Sequence, residues 1–509
     1  MSKKIENNKR IAKNTVFLYI RMLIIMFVTL YMSRVVLHEL GVTDFGIYNV
    51  VGGVVSLLSF FTSSLSNATQ RYINIGLGRN NYRETEIAFR QSLTLMLLFS
   101  IILLIIGETI GLWFVSCKMV VPSDRLVASV WVYHFSLISV VASINQVSFL
   151  GAIIAYEKMN VYAYFGLFEA LSRLLVCYYL KWNDSIDSLI LYSGLMAVIS
   201  ILMLMLYMIY CCHNFKECRI KLYWNENLVK SMAKFISYNL FGCISCSAGM
   251  AGTNILLNLF FGPTVNAARA ISIQVSAVVA RFTESIMTAV KPQVIKSYTT
   301  NDIVYMINLI ENGSKYSFFL ASVVAIPAMI EIQFILEKWL GNAPENTVLF
   351  TRLVLCDALI GVFISPLWIA ANATGYIKRN QVYGRLFTLS ILPVSFIFLK
   401  LGADSYAPFI ISIIANSMYW IYSLYDIHQQ INLQIVKYIK NVVLPSISMA
   451  CLMTIVGLIV ISVIPNDSFA RFIVVSLIYF FVTPIIIYIL LKSNEKIMLL
   501  HWLRKLIKE

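Results

Sequence analysis

Arg21, Arg173 and Arg281 each stand inside an apolar run about as long as a membrane is thick. A charged side chain at the centre of such a helix costs roughly 2.5 to 3.5 kcal/mol to insert, and each neighbouring Leu, Ile or Phe returns only about 0.3 to 0.6 kcal/mol. Glu169 lies four residues before Arg173 and Glu284 three after Arg281, so each of these arginines can close an ion pair on its own helix face. Arg21 has no acid within a helical turn. A guanidinium without a built-in partner suits a partner that arrives, and its planar fork matches phosphate. Arg21 and Arg281, with Arg173 beside them, are therefore the candidate ligands for an anionic substrate group. The intramembrane carboxylates Glu284, Glu169, Asp357 and Glu331, and also Glu108, are candidates for proton or sodium coupling, because a carboxylate taken out of water exchanges its charge for a bound proton or cation.

The uncharged polar residues are also unevenly placed. Asn67 sits in the stretch Thr62 to Gln70, T-S-S-L-S-N-A-T-Q, and Asn254 and Asn258 share one face of a later span. They can line a water-filled cavity, or they can hydrogen-bond between helices in the ordinary way of membrane bundles. His134 reads as a core histidine. Cys243-x-x-Cys246 has no second pair and no nearby His, so cysteine here fills core and no metal site is expected. No H-E-x-x-H motif, no P-loop and no long loop able to hold a membrane glycosyltransferase site is present, which argues against an enzyme.

The elements that must position these residues follow from composition. Of 509 residues 59% are hydrophobic and 13% charged, about half the charged share of a soluble domain, so the expected class is an all-α, polytopic membrane helical bundle. Apolar runs predict fourteen transmembrane helices with short connections and no soluble domain. The net charge of +15 is spread by topology: most of the 40 Lys and Arg fall at the two ends and in loops on their side, which places both termini in the cytoplasm and gives no reason to expect a nucleic-acid partner. The basic ends are suited to anionic membrane lipid. Met1 to Lys13 is polar and the apolar run after it is too long for a signal h-region, so no cleaved leader is expected. Pro327, Pro366, Pro393, Pro445 and Pro484 fall in later spans and none falls in the first seven, which predicts kinked helices in the second half.

Lys13 to Gly41 aligns without gaps with Lys234 to Gly262, an offset of 221 residues, each a basic entry, one span and an exit at Gly. Six spans per half would make the repeats parallel. The expected organisation is an N-terminal lobe over 1–213, a C-terminal lobe over 214–434, and two further spans with a basic tail over 435–509.

The start K-N-T-V-F-L-Y-I-R (Lys13 to Arg21), the turn L-G-V-T-D-F-G-I-Y (Leu40 to Tyr48) and the layout of six, six and two spans resemble the Wzx-type polysaccharide and O-antigen flippases of the multidrug, oligosaccharidyl-lipid and polysaccharide exporter superfamily. The resemblance implies two six-helix lobes around a cationic cavity lined by spans one, two, seven and eight. It implies an undecaprenyl diphosphate-linked oligosaccharide moved across the bacterial cytoplasmic membrane by alternating access, driven by a proton or sodium gradient and needing no cofactor. Arg21 matches the basic position of that family's first span; Arg281 matches in helix and depth alone. The implied partners are the lipid-linked oligosaccharide, membrane lipids, a polysaccharide polymerase and glycosyltransferases, around a monomeric carrier. Drug or organic-cation export within the same superfamily is the first alternative. A membrane-embedded glycan polymerase or ligase, and a scramblase without ion coupling, are the others.

Overall fold

The computed structural model describes residues 14–491 and 496, except 30, 33–34, 37–38, 41–43, 45–46, 49–58, 118–122, 183–186, 341–343 and 465–468. Among the described residues the chain is helical and contains no strand. Twelve helices are long and apolar enough to cross a membrane. In the places of the first two expected spans stand α1 (Asn14–Thr29), too short by that measure, and α2 (Ser59–Gly78), which carries the Thr62 to Gln70 polar stretch. Twelve of the fourteen expected spans are thus met among the described residues; residue 30, which follows α1, and 49–58, the chain leading into α2, lie outside them.

The remaining long helices are α3 (Tyr82–Ile106), α4 (Leu126–Ala155), α5 (Met159–Leu180), α6 (Ser188–Asn214), α7 (Glu226–Phe261), α8 (Pro263–Thr299), α9 (Ile303–Ile330), α10 (Thr347–Thr374), α11 (Arg385–Lys400), α12 (Ala407–Ile431), α13 (Leu444–Val463) and α14 (Phe469–Leu490). Their ends follow local chemistry. The Asn81 side chain caps α3 by accepting from Glu84 N at 3.1 Å, and Asp187 caps α6 by accepting from Leu189 N and Ile190 N at 3.0 and 3.2 Å. Between α7 and α8 the chain reverses at Gly262, whose φ of +80° suits glycine, and Pro263 starts α8 where a missing N–H costs nothing. Pro292, Pro327, Pro366, Pro393 and Pro484 lie within helices, all from α8 onward, whereas Pro445 sits in the first turn of α13.

The chain divides into two compact units. Unit 1 takes Met1–Ile244, Thr288–Met306 and Asn372–Ile377, and unit 2 takes Ser245–Met287, Ile307–Ala371 and Lys378–Glu509. In unit 1, α4 is the central helix, packing on α2, α3, α5 and α6, with the fully buried Phe89 edge-on to Phe149 at 5.5 Å. One end of the unit is tied by Arg125: its Nε donates to Asp44 Oδ1 at 2.8 Å, its Nη2 to Asp44 Oδ2, and its Nη1 to Asp187 Oδ2 at 2.5 Å. Those bonds, Asp44's first, push the guanidinium above its ordinary range. In unit 2, α11 pairs with α12 and α13 with α14, and Phe350 stacks on Phe409 with centroids 4.4 Å apart.

Candidate functional site

Unit 2 holds an open cavity of about 300 Å³ to which α7, α8, α10, α11 and α12 all contribute. Its charged groups come from three of them. Arg269 on α8 is 6% exposed; its Nη1 donates to Asn254 Oδ1 across the Gly262 reversal and its Nη2 to Met250 O at 3.1 Å. Arg385, at the start of α11, lies over the Tyr419 ring at 4.6 Å and donates to Cys246 Sγ at 2.8 Å. Asp357 on α10 accepts from Ser412 Oγ at 2.9 Å and from Asn416 Nδ2 at 2.8 Å, both from α12. Ser412 and Asn416 are four residues apart, so one helix face supplies both donors. Ile273, Leu353 and Phe409 complete an apolar wall. Such a site holds polar groups in fixed positions within a low dielectric, the condition under which charge recognition is strongest.

Unit 1 holds the second concentration of polar groups. Arg21 on α1 lies over the Tyr162 ring at 4.3 Å. Gly166, one turn along α5 from Tyr162, leaves the room, since a Cβ there would meet Arg21 Nε at 2.3 Å. Arg21 Nε is buried and has no hydrogen-bond partner among the described residues, and no ion pair of Arg21 forms among them. On α8, Lys291 donates to Asn67 Oδ1 at 2.6 Å. Two and five residues further along α8, Gln293 Nε2 donates to both oxygens of Glu157, at 2.7 and 2.8 Å, and Lys296 Nζ donates to Oε1 at 2.7 Å. Glu157 occupies the turn between α4 and α5 at φ +58°, and its side chain is 1% exposed. Arg71 on α2 donates through Nε to Asn372 O at 2.6 Å and lies 5.2 Å from the Phe235 ring centroid.

The residues singled out in the sequence divide between the units: Arg21, Asn67, Glu169 and Arg173 fall in unit 1, and Asn254, Asn258, Arg281, Glu284, Glu331 and Asp357 in unit 2. Arg173 pairs with Glu169 at 2.7 Å on a partly exposed face. Glu331 is 1% exposed and receives Arg471 Nε and Nη2 at 2.9 and 3.0 Å, a fork-to-fork pair that ties the end of α9 to α14. Arg281 and Glu284 both lie on an exposed face of α8. Asp357 and Asn254 are brought to the cavity, one on its wall and the other holding Arg269; the side chain of Asn258 lies outside the described residues. Glu108 pairs with His134 Nδ1 at 3.0 Å.

Arg269, Arg385, Lys291 and Glu157 were not among the sequence candidates. Counting apolar runs assigns them to loops or span ends, whereas α7 and α8 run 36 and 37 residues and carry their charges inward. The readable signal was Asn254 and Arg269 flanking Gly262-Pro263, a short helical hairpin that brings the two together.

No family model matches the chain, and no curated protein matches its sequence. Solved structures do match its fold. It is similar to a multidrug resistance MATE family transporter of the MOP superfamily in an outward-facing conformation, with a TM-score of 0.72 at 13% identity over 84% of this chain and 96% of that one. It is similar to MATE in complex with MaD3S, with a TM-score of 0.69 at 13% identity over 85% of this chain and 97% of that one. It is also similar to a MOP superfamily transporter from Pyrococcus furiosus described as having a binding pocket of reversed polarity that suggests a different function, with a TM-score of 0.68 at 12% identity over 82% of this chain and 96% of that one. The chain has the fold of this superfamily's transporters.

Proposed function

We propose that the chain is a membrane transporter that moves an undecaprenyl diphosphate-linked oligosaccharide across the cytoplasmic membrane by ion-coupled alternating access. The superfamily fold supports the transport half of this reading. The observation that carries the substrate half is Arg21: a guanidinium inside an apolar helix, stacked on Tyr162, its buried Nε left without an acceptor among the described residues. A cation kept at that depth without a counter-charge is repaid when an anionic group docks against it. Alternating access then requires only that the loaded and empty carrier prefer different states, and the binding free energy of head group and coupling ion sets the size of that preference.

Multidrug export is the second reading, favoured by the likeness to a multidrug resistance transporter. The two differ in what Arg21 does. In proteoliposomes loaded with a fluorescent undecaprenyl diphosphate-linked oligosaccharide, the flippase reading expects substrate-dependent flipping that falls at least tenfold in Arg21→Ala at equal protein content. Flipping equal to protein-free vesicles, together with efflux of organic cations that Arg21→Ala leaves unchanged, would establish the export reading instead.

A further inference from the structure

We propose that the segment joining α6 to α7, residues 215–225, is a docking site for an anionic phospholipid, its head-group phosphate taken by Lys216, Arg219 and Lys221 and its acyl chains covering Ile220, Leu222 and Trp224. This lipid is a component of the surrounding membrane, distinct from the carried glycolipid for which Arg21 is the candidate ligand.

The segment is irregular yet held in place. Phe215 is buried and stacks on Tyr156, in the turn between α4 and α5, with centroids 4.1 Å apart. Tyr156 Oη donates to Glu217 Oε2 at 2.8 Å, and Cys218 is buried beside them in sequence. Further on, Tyr223 N donates to Thr94 Oγ1 at 3.1 Å and Asn225 N to Gln91 Oε1 at 2.9 Å, so α3 takes up backbone donors that would otherwise need water. These bonds fix the height of the segment. The first turns of α3 carry Arg83, Glu84, Glu86 and Arg90, whereas from Gln91 to Gly107 the helix has no charge and its exposed side chains, from Leu97 and Leu98 onward, are aliphatic. The segment therefore meets α3 where polar turns give way to the membrane-spanning stretch. Its free side chains are of two kinds. Ile220, Leu222 and Trp224 are 54%, 68% and 58% exposed. Lys216, Arg219 and Lys221 are exposed between and before them. None of the three cations makes an ion pair among the described residues; of the two acids nearby in sequence, Glu217 is held by Tyr156 and Glu226 pairs with Lys230 at 2.6 Å. Exposed apolar side chains at a membrane border are stabilised by acyl chains, and cations there are drawn to anionic head groups. A zwitterionic lipid satisfies the apolar half alone, and a free phosphate the cationic half alone. An anionic phospholipid satisfies both.

Quenching of Trp224 by brominated lipid tests this. The full-length chain is reconstituted in phosphatidylcholine vesicles containing a minor fraction of either phosphatidylglycerol or phosphatidylcholine brominated near the head-group end of its acyl chains. The difference between the parent and Trp224→Phe isolates the fluorescence of that tryptophan. Brominated phosphatidylglycerol is expected to quench Trp224 about fivefold or more effectively than brominated phosphatidylcholine. Lys216→Gln/Arg219→Gln/Lys221→Gln is expected to bring the two lipids to within about twofold, and the charge-conserving Lys216→Arg/Arg219→Lys/Lys221→Arg to retain the preference. Where the glutamine variant does not fold, salt tests the same point on the parent chain: the preference is expected to fall as sodium chloride is raised. Equal quenching by the two lipids overturns the proposal, as does a preference that the glutamine variant keeps or that salt leaves unchanged. If soluble glycerol phosphate removes the preference to a greater extent than sodium chloride of equal ionic strength, a free phosphate is the ligand and the proposal is again overturned. Arg21→Ala is expected to leave the quenching unchanged, so failure here and failure of the flippase reading are read from different variants.

Discussion

Replacing Arg471 by Met should destabilise unit 2 by about 3 to 5 kcal/mol, because it strands a carboxylate rather than because it removes a favourable contact. The Arg471 and Glu331 side chains are 5% and 1% exposed, and two hydrogen bonds of 2.9 and 3.0 Å join them. With the guanidinium gone, Glu331 keeps its burial and loses both donors. In Glu331→Leu/Arg471→Met neither charge remains to be solvated, and a pair of apolar side chains of similar volume should restore stability to within about 1 kcal/mol of the parent. The coupling between the two substitutions is then several kcal/mol and of opposite sign to the single losses. Equilibrium unfolding of the detergent-solubilised protein in mixed micelles of increasing sodium dodecyl sulfate, followed by far-UV circular dichroism, measures all three. A loss below 1 kcal/mol in Arg471→Met, or a double variant no better than the worse single one, refutes the reasoning. A double variant that is stable yet insensitive to the ion gradient would support Glu331 as a coupling residue.

Gly166→Ala puts a methyl group where Arg21 Nε now lies, at 2.3 Å, and the long arginine side chain is the part that yields. Transport should therefore fall toward the level of Arg21→Ala while thermal stability in fluorescence-detected gel filtration changes by less than about 1 kcal/mol; unchanged transport would show that the Tyr162 stack is not the working position of Arg21. Glu157→Ala removes the acceptor shared by Gln293 and Lys296 and leaves a partly buried ammonium, at a cost of about 2 to 4 kcal/mol in the same unfolding assay, with Glu157→Gln recovering part of it.

The helical class was readable because nothing except an apolar helix accounts for runs of that length at so low a charge, and the turn at Gly262-Pro263 announces itself by residue type. The Glu169–Arg173 pair was readable too, since a spacing of four on one helix is a local matter. Asp357 was readable as a carboxylate in a span, but its partners Ser412 and Asn416 were not, as they come from a helix more than fifty residues away whose rotation no hydropathy pattern fixes. The ion pair of Glu331 was not readable for the same reason: Arg471 lies 140 residues further on and completes the pair through packing alone. The membrane-depth argument found Arg21 but passed over Arg269 and Lys291, because α7 and α8 extend well past one membrane thickness and a charge assigned to a loop by counting is carried within a helix.

The Arg125 clamp bears on how the protein is made. Asp44, Arg125 and Asp187 leave the ribosome in that order, so the cation first meets a single acid, and the second arrives only when the residues that cap α6 have been synthesised. Because Asp187 both caps α6 and closes the clamp, one residue couples the start of α6 to the fastening of the earlier helices. A chain ending before residue 187 would keep the Asp44–Arg125 half of the clamp and lack both its second acid and the cap of α6.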